Sequence, residues 1–187
     1  MLKRLLPLLL VGLMLVAGNA AALEVAGVQL APEVGLGGER LQLNGYGIRK
    51  KFFFKIYVGS LYTAQPATST AQVLALPGAK LVRMDFVYDK VDKKKIVDAF
   101  AEGFEKNSPG LVGSASARAF LGWFDADFVR GDRVDLQVGA DGTVSASHNG
   151  RVLGSVTDPA LARGVLLIYL GEQPADADLK AGMLGQD

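Results

Sequence analysis

The sequence contains no cysteine, one histidine and one tryptophan. Without cysteine there are no disulfides, thiolate metal sites or cysteine nucleophile. His148 alone is too little for a dedicated zinc site. A Ser-His-Asp triad would need it as base, and its place beside Asn149-Gly150 gives that role no support; it reads as an exposed polar residue of a turn. Net charge is equally scarce, with 20 Lys and Arg against 19 Asp and Glu. Such a chain lacks the electrostatic footprint of a nucleic-acid binder and has no general attraction for an anionic membrane. Gly35-Leu36-Gly37-Gly38 lacks the spacing and the strand–helix context of a phosphate loop and reads as part of a turn. After the N-terminus there is no second long apolar run.

What remains is half hydrophobic and about one fifth charged over 187 residues. That suits one domain with a real core and excludes a disordered chain. The N-terminus carries the most specific local signal. Lys3-Arg4 is a positive start, Leu5 to Ala17 is apolar, and Asn19-Ala20-Ala21-Ala22 supplies small residues for a signal peptidase. Residues 1–22 are therefore expected to be a cleaved signal peptide, with an uncleaved anchor helix as the alternative. The apolar stretch is short for a membrane span of about 20 residues. Residues 23–187 are expected to form one exported domain, periplasmic or secreted, with no stable membrane anchor. Without Lys3 and Arg4 the balance of basic to acidic residues is 18 to 19.

Strand and helix signals then mix. Val25 to Val28 is β-leaning, Glu33 to Arg40 reads as a glycine-rich turn, and Asn44-Gly45 gives a hairpin signal between Leu41–Leu43 and Tyr46–Arg49. Phe52 to Tyr62 reads as a long strand near the middle of a sheet. Its Phe52-Phe53-Phe54 start is expected in the core, with a lipid-lining role as the alternative. Pro66 to Leu76 predicts a short helix capped by Thr68 or Ser69. Lys80 to Tyr88 alternates as a strand with one half-buried face. Asp92 caps a helix with an Ile96-Val97-Phe100-Phe104 stripe, and Lys93-Lys94-Lys95 reads as its solvated start. Ser116 to Phe128 predicts another helix. Arg133 to Val156 predicts a three-stranded meander turning at Asp141-Gly142 and Asn149-Gly150. Asp158-Pro159 opens a helix to Gly171, and Asp176 to Leu184 a last one. The pattern is α+β, a large antiparallel sheet with a layer of helices on one face.

Leu43-Asn44-Gly45-Tyr46-Gly47-Ile48-Arg49 followed by Lys55-Ile56-Tyr57-Val58-Gly59-Ser60-Leu61-Tyr62 resembles the opening of the chalcone isomerase-like domain. Arg130-Gly131-Asp132, His148-Asn149-Gly150 and Ile168-Tyr169-Leu170-Gly171 with Pro174 and Leu179 to Gly185 are similar to later landmarks of that family, in the same order. Nearly all of the chain after residue 22 is covered. The resemblance implies a ligand cleft between sheet and helices. In the plant enzymes an arginine holds substrate, and threonine, tyrosine and asparagine side chains with water complete the site. Arg49 matches the arginine, but Tyr57 stands at the threonine position, Val91 at the tyrosine and Asp98 at the asparagine. In fatty-acid-binding members the arginine and a nearby tyrosine receive a carboxylate at the head of an apolar tunnel.

Taken alone, Arg49 reads as a surface or salt-bridged residue and Tyr57 as core. With the resemblance they become the candidate ligand-binding pair, because an arginine fork fits a carboxylate bidentately. The favoured reading is a non-catalytic periplasmic binder of a small amphipathic acid, fatty or aromatic, with no cofactor. A chalcone-isomerase-like intramolecular lyase acting on an enone and an interaction module without a ligand are the alternatives. A protein partner is not legible.

Overall fold

The computed structural model describes residues 23–186. The proposed signal peptide at residues 1–22 lies outside the described residues. The chain begins with a small hairpin of β1 (Leu23–Val25) and β2 (Val28–Leu30), then β3 (Glu33–Leu36), β4 (Glu39–Lys51) and β5 (Phe54–Thr63). Helix α1 (Thr70–Ala75) precedes β6 (Lys80–Phe86), β7 (Lys90–Val91) and the long α2 (Lys93–Asn107). After a 3-10 turn come α3 (Ala115–Gly122), β8 (Phe128–Val129), the meander β9 (Arg133–Val138), β10 (Thr143–His148) and β11 (Arg151–Thr157), and finally α4 (Pro159–Leu170) and α5 (Ala177–Met183). Seven strands form one antiparallel sheet in the order β11-β10-β9-β6-β5-β4-β3. The expected α+β architecture holds. Among the described residues, no helix is long and apolar enough to cross a membrane.

The helix starts follow from their caps. Ser69, Asp92, Asp158 and Asp176 each accept a bond from a first-turn N–H, satisfying donors that the helix itself leaves open. One sheet face, bearing Tyr57, Leu61, Val82, Met84, Phe86 and Leu136, packs against the stripe Ile96–Phe100–Phe104 of α2 and the buried face of α4. Gly103 lets α2 approach α4 closely, because a Cβ there would already press on Ile168 at 3.0 Å. Burying such side chains is the main source of stability in a chain without disulfides, about 1.5–3 kcal/mol for each large apolar group.

Several expectations are corrected. Glu33 to Arg40 is a hairpin, with β3 and β4 joined by Gly37-Gly38 at positive φ. Asn44-Gly45 makes no hairpin. β4 runs through it, with Asn44 an extra residue between the pairs Leu43–Tyr62 and Gly45–Leu61. The Asn44 amide donates to the carbonyls of Ala67 and Met183 at 2.9 and 2.8 Å and accepts from the Ala67 N–H at 2.7 Å. Gly45 is there because α5 lies against it; a Cβ would overlap the Gly182 carbonyl and sit 2.7 Å from that of Met183. Both faces of β6 are covered, not one. Leu81 joins Leu41 and Tyr62 on the outer face, where Arg83 is bound bidentately by Asp135 at 2.7 and 2.8 Å and Arg133 by Asp85 at 2.7 Å. The helix expected over Ser116 to Phe128 stops at Gly122. Glycine is a poor helix former, and Asp125 and Asp127 just beyond would oppose the helix dipole. Trp123 then packs on β11 at Gly154, and Phe128 joins a short strand pair. Phe52 and Phe53 form the exposed β4–β5 turn, so they do not belong to the core.

Candidate functional site

Between the end of the sheet and α2 lies a cavity of about 380 Å3, within the usual size range of small-molecule sites. Its apolar walls come from Ile56, Met84, Val91, Ile96, Phe100 and Ile168, and the small side chains of Ala99 and Ala175 leave the space open. Lys95, Asp98, Ala99 and Glu102 follow one another at helical spacing, so one flank of α2 forms the rim while its buried stripe faces the core. Arg49, Tyr57 and Lys51 complete the lining.

Arg49 and Tyr57 are direct cross-strand partners, so both side chains leave the sheet on its helix-covered face. The next pair is Lys50 with Lys55, which makes Ile56 a bulged residue. The bulge breaks the alternation and turns Ile56 and Tyr57, two neighbours, toward the same cavity. The Ile56 carbonyl is held there by the N–H groups of Val87 and Tyr88 at 3.0 and 3.2 Å.

The Arg49 side chain is 22% exposed, and its contacts use a single nitrogen. Nη1 donates to the Lys50 carbonyl at 3.2 Å and to Asp176 Oδ2 at 3.5 Å. Asp176 is otherwise committed, because Oδ2 accepts from the Lys50 N–H at 3.1 Å and Oδ1 caps α5 through the Leu179 N–H at 3.1 Å. Nη2 and Nε of Arg49 have no partner among the described residues. Tyr57 is 5% exposed. Burial pushes its phenol up to about 12, although Arg49 pulls it down; Asp176 adds to the rise, and a hydrogen bond with Tyr169 opposes it. Tyr169 is also driven well above its ordinary value, by burial first, and donates to Met84 Sδ at 3.2 Å. At neutral pH the cavity therefore offers a cation with open donors beside the neutral phenol of Tyr57.

Arg49 and Tyr57 thus meet at one cavity, and Val91 and Asp98 line it too. Asp98 is half-exposed and bound to Lys94 at 2.6 Å. Sequence reasoning missed Tyr169, Asp176, Lys51, Lys95 and Glu102 as neighbours of this space. Of these, Asp176 had a local signal as the cap of α5, but its contact with a residue 127 positions away had none. His148 is not an exposed turn residue. Its ring is 13% exposed, lies 5.1 Å from the Phe128 ring and has Nε2 3.1 Å from Asp132 Oδ2. No group of three or more acidic, histidine or cysteine side chains among the described residues is placed to hold a metal.

Comparison with known proteins adds an independent line. A fatty-acid-binding protein of Arabidopsis thaliana is 25% identical over 178 residues, covering 79% of this chain. The chain spans 64% of that relative's length. The crystal structure of an Arabidopsis thaliana fatty-acid-binding protein superposes with a TM-score of 0.65 over 85% of this chain and 92% of the other, at 18% identity, which establishes a common fold. The family model described as chalcone isomerase-like matches residues 22–185. With that match over most of its length, the chain belongs to the chalcone isomerase-like family.

Proposed function

We propose that this protein is a non-catalytic binder of a small acid with an apolar tail, such as a fatty acid, held in the cavity with its carboxylate on Arg49. The observation that carries the reading is the guanidinium itself: on a side chain 22% exposed, at the wall of an apolar cavity, with Nη2 and Nε uncommitted. A guanidinium with open donors on a cavity wall is ready to receive an anion, and its planar fork matches a carboxylate. Tyr57 stays an O–H donor up to about pH 12 and supplies a neutral hydrogen bond beside the charge. The aliphatic and aromatic walls take the tail at roughly 25 cal/mol per Å2 of apolar area. Similarity to a fatty-acid-binding protein supports the same ligand class.

Catalysis is disfavoured by what surrounds Arg49. Val91 cannot hydrogen-bond a water or a substrate oxygen, and Asp98 would repel a phenolate. The signal-peptide pattern of residues 1–22 supports a location outside the cytoplasm, periplasmic or secreted. Native mass spectrometry of protein purified from the periplasm tests both parts. The expected species begins at Leu23 and carries one carboxylic acid. A chain retaining Met1 in the membrane fraction would overturn the location, and failure to retain any long-chain carboxylate on titration would overturn the ligand.

A further inference from the structure

The β4–β5 turn presents an apolar tip that the fold itself does not use. Phe52 and Phe53 are 85% and 84% exposed, and Phe54 is 44% exposed. Phe52 takes φ 55°, a left-handed value that costs a bulky side chain conformational strain, and its ring gains no burial in return. Phe53 lies 4.7 Å from Phe54, Phe54 packs edge-on to Tyr88 at 5.4 Å, and the Phe52 ring beside them in the turn has the Lys51 ammonium 5.9 Å from its centre. Contiguous exposed aromatic surface of this kind marks an interaction site.

The charge around the tip says what it meets. Lys50, Lys51 and Lys55 flank it on the same hairpin, and Lys95 stands across the cavity from Lys51. Lys51, Lys55 and Lys95 make no ion pair among the described residues, whereas the rim acids Asp98 and Glu102 are taken by Lys94 and Lys106, each at 2.6 Å. Lys50 is held loosely by Asp178 at 3.7 Å. A near-neutral chain therefore carries a local cationic collar around bare aromatic rings. Rings of this kind settle at the boundary of headgroups and acyl chains, while lysines reach out to anionic headgroups. A second copy of the chain would bring like charges together at the same place. Arg49 and Lys51 line the cavity, so the tip stands at its mouth.

We propose that the Phe52-Phe53-Phe54 tip inserts reversibly into the surface of an anionic bilayer and sets the cavity mouth against it, so that an acid passes between membrane and protein without crossing bulk water. The docking half stands on the tip alone; the transfer half rests on the ligand reading above. Three rings and a few lysines are too small a contact for permanent anchoring.

The test uses the purified protein without added acid, co-sedimented with vesicles of equal parts phosphatidylcholine and phosphatidylglycerol, or of phosphatidylcholine alone. The anionic vesicles should bind at least about tenfold better, since each lysine near such a surface is worth roughly fivefold. F52S/F53S should lower that binding by about tenfold or more, and K55E should remove most of the anionic preference. None of these side chains lines the cavity, so both variants should melt like the native protein and bind a long-chain acid normally in vesicle-free solution. Equal sedimentation of native and F52S/F53S protein would overturn the proposal, as would a dimer that F52S/F53S dissociates in a protein with no vesicle affinity. Vesicle binding that persists while acid binding in solution is absent would support the docking and sink the ligand reading.

Discussion

Replacing Arg49 separates the two charges that share the polar end of the cavity. In Arg49→Ala, Asp176 keeps its bonds to the Lys50 and Leu179 N–H groups. The ion pair lost is a long one at 3.5 Å on partly exposed side chains, worth under about 1 kcal/mol after solvent screening. The variant should therefore fold. Its effect on an acid is larger, because a charged hydrogen bond contributes about 1.5–3 kcal/mol. Part of the guanidinium's field is already used by Asp176, so the net loss should fall within the range for one such bond. The expected loss is one to two decades in Kd for palmitate at about 1.4 kcal/mol per decade, with Arg49→Lys in between because it keeps the charge and loses the fork. Asp176→Asn works in the opposite direction. Asparagine caps a helix as well as aspartate, so α5 should persist, and removing a carboxylate beside the bound acid should tighten binding by up to about one decade. The matching alcohol, measured by the same displacement of a fluorescent lipid, should respond to neither change. Equal palmitate affinity in all four proteins would refute the reasoning, as would parallel changes for acid and alcohol.

Gly45→Ala should lower stability by about 1–3 kcal/mol, because its Cβ meets the backbone of α5 and not a movable side chain; a thermal melt should shift by several degrees. Asp132 provides a pH test. Burial raises its carboxyl, but the Val129 N–H, Asn149 and His148 together bring it below the usual range. A lowered native pKa stabilises fully above the unfolded value near 3.9 and is lost as pH falls through the native one. Urea midpoints should therefore drop below about pH 4, and Asp132→Asn should be less stable at neutral pH with a flatter acid response. Consumption of chalcone, corrected for the spontaneous reaction, should stay below a kcat/KM of about 10^4 per molar per second, the low end for ordinary enzymes. A higher value would mean that a group other than Val91 or Asp98 orients the reacting oxygen.

What was legible in the sequence is what local chemistry decides. The caps at Ser69, Asp92 and Asp158 each rest on one side chain and its next few N–H groups. The meander turns are equally local. Asn44-Gly45 failed for the opposite reason, because the same two residues that make a good turn also make a good bulge. The choice between them was made by Ala67 and Met183, far away in sequence. The second buried face of β6 was hidden because Arg83 and Asp85 read as solvent-facing until their cross-strand partners Asp135 and Arg133 are known. Phe52-Phe53 read as core because aromatic residues usually are, and only the position of the turn shows them bare. For the cavity, Arg49 and Tyr57 were found by family likeness, and nothing in their own neighbourhood marked them. Their pairing across β4 and β5 follows once the strands are in register.

The polar end of the cavity joins residue 49 to residue 176, near opposite ends of the chain. A chain that has paired its strands can therefore hold Arg49 before the carboxylate and helix that fix it have docked. Contacts so distant in sequence close late in folding. α5, which covers Gly45 and Gly47 of β4, docks across the same separation in sequence. A chain with α5 undocked would have the strands but an unfinished pocket. Competence to hold a ligand would thus coincide with the docking of α5, and a change that loosened α5 would open the pocket before it unfolded the sheet.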